Sequence, residues 1–280
     1  MPQGTILGQL LFLLYINDIF NILPNNHLIA YVLLCSASTW QLVTKLVNKS
    51  LNKLYFWLYV NKLSLNFNKS VYLAFGNYSD SVPSLCNIKI NNIALKRVYS
   101  CKYLGIIIDA RLKWHEHITY VVKKTKYLIF IFAKLKKILT YKILMAVYHG
   151  LFGSISNYGV IAWGSAYKTS LTPLKNIQEK ILKIISKNHT NVPLNIYQNY
   201  VLNSFTYNFN NLCSNFKKLN TSSRNKPIPL PRNKLVIGQK NYKYVSILNF
   251  NKLPLSLKKT LVTSNSKLLK NWITINIKME

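Results

Sequence analysis

Apolar residues fall into two regimes along this chain. Up to about position 110 they come in short runs and alternations. From Trp114 onward they recur every three or four residues, the spacing of one helical face. The first regime opens on Pro2-Gln3-Gly4-Thr5-Ile6-Leu7-Gly8 and runs into Leu10 to Asp18, a tight glycine turn feeding an apolar helix that Thr5 is suited to cap. Pro24-Asn25-Asn26 reads as a turn and His27 to Ser36 as a short apolar strand. Thr39 starts a helix with Trp40, Val43, Val47, Leu51, Leu54 and Leu58 on one face and Gln41, Lys45, Lys49 and Asn52 opposite. Leu63 to Gly76 alternates and reads as strand, Ile88 to Leu95 as a hairpin about Asn91-Asn92, and Tyr103 to Asp109 as a central strand.

In the second regime Ile118, Val121, Val122, Leu128, Phe132 and Leu135 mark the first helical face. Further helices are expected at 141–152 and 168–187, the latter with Leu171, Leu174, Ile177, Ile181 and Ile185 in register. The Ser/Asn/Pro-rich run at 222–233 reads as a linker, Asn249 to Pro254 as a turn, and 263–273 as a last helix. There is no internal repeat. The pattern predicts an α+β unit followed by a helical one.

Charge adds what the pattern does not show. The chain has 37 Lys+Arg against 6 Asp+Glu, a formal +31, which favours nucleic acid or another polyanion as partner. Only Arg97, Arg111, Arg224 and Arg232 are arginine; the rest are lysine, amid abundant Asn, Ile, Tyr and Phe. That mixture is the signature of A/T-rich codons, so base composition accounts for part of the excess. The lysines that crowd one helical surface, Lys123, Lys124, Lys126, Lys134, Lys136 and Lys137, are the candidate contacts to a nucleic-acid backbone.

Other chemistry is thin. Cys35, Cys86, Cys101 and Cys213 form no CxxC pair, so reduced thiols without a disulfide partner are expected. The apolar runs at 10–16, 28–35 and 128–133 are shorter than the roughly 18 residues of a membrane span, which argues against a membrane partner and for an intracellular protein, nuclear or cytoplasmic. His115 and His117 flank Glu116, but residues two apart diverge on a helix and no further ligand lies nearby, so no metal site is expected there. No nucleophile elbow or phosphate-binding glycine loop occurs. Tyr55, Phe56, Trp57 and Tyr59 are read as core stripe rather than base-stacking platform.

Several phrases, taken in order, resemble one family. The opening PQGTILGQLLFLLYINDI resembles the motif B region of reverse transcriptases from jockey-like non-LTR (LINE) retrotransposons. Trp57 to Asn66, with Lys69-Ser70 and Ala74-Phe75, is similar to the motif D region, and Lys102 to Asp109 with Leu112, Trp114 and His117-Ile118 to the primer-grip region. Tyr158-Gly159, Ala162-Trp163-Gly164, Gln178 and Ile181 resemble the thumb, and Asn251 to Pro254 with Leu257-Lys258 the terminal segment. The resemblance implies a truncated reverse transcriptase palm at 1–110, a helical thumb and connection at 111–221, and a linker with a small C-terminal segment at 222–280. By resemblance Pro2, Gln3, Gly4 and Lys69 line the nucleotide site, Leu104 and Gly105 support the primer end, and the partner is an RNA or DNA template-primer.

The family's reaction uses two Mg²⁺ ions held by carboxylates. One carboxylate belongs to a palm strand upstream of motif B, where this chain begins. Two adjacent aspartates belong to a hairpin, and at that place this sequence has Ala30, Tyr31 and Val32, with no acid between Asp18 and Asp80. Asp18 and Asp109 match positions outside the catalytic set and are expected to serve structure. The expectation is therefore a fragment of an RNA-directed DNA polymerase that lacks its metal-binding residues, needs no cofactor of its own, and retains at most nucleic-acid binding. Two alternatives stay open: an enzyme completed by upstream sequence, and a degraded copy without function.

Overall fold

Thr39 begins the first long helix, and the rest of its neighbourhood is built on that helix's apolar face. In the computed structural model, residues 6–22, 27–29, 32–75, 87–185, 195–219, 227–231, 241–262, 269, 272–273 and 275–277 are described. They divide into two units, residues 1–101 and 102–280, the division falling within a strand. The architecture is α+β, with many helices and small two-stranded sheets.

In the first unit, α1 (Ile6–Tyr15) leads into a 3-10 turn (Asn17–Ile22). β1 (His27–Ile29) and β2 (Val32–Leu34) pair antiparallel, so the apolar run at 27–36 is a hairpin rather than one strand. α2 (Trp40–Val60) starts where Thr39 accepts the Leu42 N–H at 3.3 Å. Its six expected apolar positions are all buried or half-buried and its four expected polar ones exposed. It ends at Lys62 in the left-handed region, with Leu63 N–H reaching the Leu58 carbonyl at 2.8 Å and Lys62 N–H the Tyr59 carbonyl at 3.0 Å, the paired bonds of a Schellman stop.

Of the stretch 63–76, the described residues 63–75 are strand only at β3 (Val71–Tyr72). The alternation is interrupted because Asn66 accepts the Lys69 N–H and its carbonyl takes the Ser70 hydroxyl, closing a 3-10 turn at Phe67–Lys69. The Asn-Asn hairpin forms as expected between β4 (Lys89–Ile90) and β5 (Ile93–Ala94), with Asn91 and Asn92 at φ 46° and 65°. Asn48 of α2 clamps it, donating to the Asn87 carbonyl and accepting from the Lys89 N–H. β6 (Lys96–Arg97) runs parallel to β3. A small core of Leu51, Ile88 and Ile90 joins these pieces.

The second unit carries most of the described core. β7 (Ser100–Tyr103) and β8 (Ile106–Asp109) form a hairpin around Leu104-Gly105, so the expected strand at 103–109 is a turn and its return arm. Left-handed φ values of 45° and 83° at these two residues break the apolar run. The helical face expected from 118 to 135 is kept but split into α3 (His115–Thr125) and α4 (Leu128–Leu135). α5 (Tyr141–Tyr148) continues through a π turn at His149–Gly153 into the short α6 (Ser154–Asn157) and α7 (Val160–Trp163). α8 (Lys168–Ile185) packs against α3 and α4 with all five expected apolar residues buried.

α9 (Ile196–Leu219) packs along α10 (Tyr242–Lys252), and α11 (Leu255–Val262) follows. Asn249 to Lys252 are thus helix, not turn; the chain bends only at Leu253, whose extended ψ of 141° is the conformation a following proline imposes. The described part of the expected linker, residues 227–231, is anchored. Ile228 is buried, its N–H donates to Asn251 Oδ1 at 3.0 Å, and Asn251 Nδ2 donates back to its carbonyl at 2.9 Å. Of the helix expected at 263–273, only Leu269 and Trp272–Ile273 lie among the described residues, and these are helical.

Candidate nucleic-acid interface

The inward face of α3 and α4 is set by Ile118, Val121, Leu128 and Phe132, each no more than 2% exposed. That orientation turns Lys123, Lys124, Lys126, Lys134 and Lys137 to the surface, where Tyr127 and Phe130 are also exposed. Lys134 stands 4.4 Å over the Phe130 ring, a cation–π pair. Lys136 differs from the others: it is half-buried, and its ammonium donates to the Ile184 carbonyl in the last turn of α8. Such carbonyls lack helical partners, so this lysine closes a helix end.

A further cation, Lys102 of β7, joins this surface. Its ammonium donates to the Tyr120 hydroxyl at 3.1 Å and lies 4.8 Å from the ring centroid, while Lys124 lies 4.8 Å from the same centroid. Hydrogen bonds from Lys124 and then Lys102 hold the Tyr120 phenol below its ordinary tyrosine value. Pattern reading misses this group because the hairpin, not sequence proximity, brings Lys102 to α3.

Leu104 and Gly105 form the tip of that hairpin. Tyr158 donates its hydroxyl to the Leu104 carbonyl at 2.5 Å, and a Cβ on Gly105 would stand 3.1 Å from the Tyr158 ring. The tip is thus held by a tyrosine from the phrase Tyr158-Gly159. Lys69 lies in the first unit, exposed at the end of its 3-10 turn. Also in that unit, Phe56 and Tyr59 are largely exposed, which corrects the reading of all four α2 aromatics as core; Tyr55 and Trp57 are half-buried. An open groove of about 600 Å³ runs past Tyr55, Tyr59, Lys62 and Phe67. Pro2, Gln3, Gly4, Ala30 and Tyr31 lie outside the described residues; Val32 is half-buried in β2.

The carboxylates are dispersed. Asp109 accepts three backbone N–H groups, from Arg111 and Lys113 at 3.0 Å and Trp114 at 2.7 Å, and so fixes a loop in which Leu112 and Trp114 have left-handed φ. Glu179 faces Lys175 at 3.8 Å, and Asp18 and Glu116 are exposed. Among the described residues, no three of His, Cys, Asp and Glu come together. These residues do not fit a pair of divalent cations. His117 is buried; its Nδ1 accepts the Ile107 N–H at 3.2 Å and its ring meets Trp163 edge-on at 5.4 Å, while His115 is exposed. Burial lowers the pKa of His117. Cys35 and Cys101 are free, half-buried thiols raised in pKa by burial. No helix among the described residues is long and apolar enough to cross a membrane.

Comparison with known proteins gives similarity to enzymes of mobile elements. The chain is 27% identical over 207 residues to the RNA-directed DNA polymerase from mobile element jockey of Drosophila funebris. It is 24% identical over 201 residues to the jockey polymerase of Drosophila melanogaster, and 23% identical over 201 residues to the probable RNA-directed DNA polymerase from transposon X-element of that species. Each match covers 66% of this chain, and the chain spans only about a fifth of the relatives' length, 22% for the first. No family model and no solved structure matches.

Proposed function

We propose, from the chain's kinship with the RNA-directed DNA polymerases of jockey-like mobile elements, that it is a palm-to-thumb fragment that binds nucleic acid and does not polymerise. In this reading residues 1–110 correspond to part of a palm, 111–221 to a thumb with its connection, and 222–280 to a linker with a small terminal segment. Lys69, with Pro2, Gln3 and Gly4, keeps the form of a nucleotide site, and Leu104-Gly105 the form of a primer support. A template-primer of RNA or DNA is the ligand class.

The observation that carries the reading is the contrast between cations and carboxylates. Exposed lysines line α3 and α4, while Asp109 is engaged by backbone N–H groups and no acid stands between Asp18 and Asp80. Lysines release counterions from phosphates on binding, but they cannot hold Mg²⁺. Two measurements on the full chain test this. In filter binding across a salt series, affinity for a labelled oligonucleotide falls steeply as salt rises; affinity indifferent to salt contradicts the binding half. In primer extension with Mg²⁺, no nucleotide is incorporated; clear extension contradicts the silent half.

A further inference from the structure

Two lysines from different elements, Lys102 of β7 and Lys124 of α3, converge on the phenol of Tyr120. Both are exposed, and among the described residues neither is paired with a carboxylate. Lys102 reaches the phenol oxygen at 3.1 Å, and both ammonium nitrogens lie 4.8 Å from the centre of the same ring. Lysine has donors only, and a phenol oxygen accepting from lysines keeps its own hydrogen to donate. The group therefore presents three donor groups, two ammonium ions and a phenol hydroxyl, and two positive charges. This is the donor set of an anion receptor. Ammonium-to-phosphate bonds of about 2.7–2.9 Å let one phosphate group span both nitrogens.

We propose that Lys102, Tyr120 and Lys124 form a phosphate-binding cluster whose ligand is a single phosphodiester of a nucleic-acid backbone. The source of the phosphate rests on the nucleic-acid reading above; the receptor chemistry is shared with free phosphate. The cluster differs from its surroundings. Lys134 covers the Phe130 ring singly, whereas here two cations from two elements meet one tyrosine ring. The anion relieves the repulsion between them, and the hairpin and helix supply a fixed spacing that flexible surface lysines lack.

The test uses the full chain, a fluorescent single strand of about 20 nucleotides, and four variants: Lys102→Gln, Lys124→Gln, the double variant, and Tyr120→Phe, with Lys175→Gln as control. One shared phosphate predicts that each lysine variant alone causes most of the double variant's loss. That loss is about tenfold at low salt, with the slope of log affinity against log salt reduced by about 0.7. Tyr120→Phe weakens binding about two- to threefold without changing the slope, since it removes a neutral donor. Unchanged affinity in the double variant overturns the cluster while leaving nucleic-acid binding intact; additive losses with twice the slope change overturn the single shared phosphate. If the wild-type chain does not bind the strand, the backbone is overturned as the source. Inorganic phosphate then decides on the receptor, through protection of Lys102 and Lys124 from acylation read by mass spectrometry. Protection there retains a phosphate site, and its absence overturns the cluster altogether.

Discussion

Asp109 shows how far one carboxylate can determine local structure. Its two oxygens collect the N–H groups of Arg111, Lys113 and Trp114, and those bonds hold Leu112 and Trp114 in a backbone region that non-glycine residues rarely adopt. Hydrogen bonds to a charged group are each worth about 1.5–3 kcal/mol. Asp109→Ala is accordingly expected to destabilise the chain by at least about 2 kcal/mol in denaturant unfolding, and a loss below about 0.5 kcal/mol would show that the loop holds itself. His117 gives a pH dependence. Its Nδ1 is an acceptor, so the ring is neutral with its proton on Nε2, and burial keeps its pKa below 6.5. The unfolded chain then binds more protons than the folded one as pH falls beneath that value. The contribution is fully present above pH 6.5 and is lost as pH falls through the folded value. Unfolding measured between pH 7 and pH 5 should show stability declining, and His117→Asn, which keeps an oxygen acceptor, should flatten the decline. The sequence was legible here for Asp109, expected to serve structure, but not for Lys102 and Tyr120, which only a hairpin joins.

Among elements, legibility followed the kind of residue that fills the buried face. α8 is readable because Leu and Ile fill its buried face with one exception, Gln178, which donates to the Tyr148 hydroxyl at 2.9 Å; α9 carries no such signal, although it is longer. Its buried side runs through Ile196, Tyr200, Ser204, Asn208 and Leu212, so polar residues break the apolar count. Asn208 is accommodated by donating to Ser246 Oγ of α10 at 2.8 Å. Strand readings erred in length because turns cut the apolar runs, one closed by Asn66 and one at Leu104-Gly105. One glycine matters for packing instead. A Cβ at Gly164, just after α7, would fall 2.6 Å from the Val160 carbonyl oxygen and 2.7 Å from Tyr200 Cβ in α9. Neither neighbour is the free end of a side chain. Gly164→Ala is therefore expected to cost about 1–3 kcal/mol, read as a lowered Tm, and an unchanged Tm would show that α7 and α9 part without strain.

At the scale of the whole molecule the net charge of +31 conceals an uneven distribution. The first lysine or arginine is Lys45, so the 44 residues before it carry no cation, and their sole acid is Asp18. In that cation-free segment α1 exposes Leu7, Leu10, Leu11, Phe12, Leu13, Leu14 and Tyr15, each at least 38% accessible. Among the described residues, the first unit has a small core around Leu51, Ile88 and Ile90, while the second packs a larger one from Ile118 to Ile277. Mutual repulsion of lysines keeps a basic protein dispersed, but it acts weakly where the lysines are absent. Exposed apolar surface of this extent favours self-association. Residues 102–280 expressed alone should remain monomeric and unfold cooperatively, whereas residues 1–101 should aggregate. The full chain offers the decisive variant: Leu10→Lys with Leu14→Lys places charge on α1 without touching either core. Light scattering should then show less self-association than in the unaltered chain. Equal scattering by the two would place the sticky surface elsewhere, and a soluble, cooperatively folding 1–101 would show that its small core is sufficient.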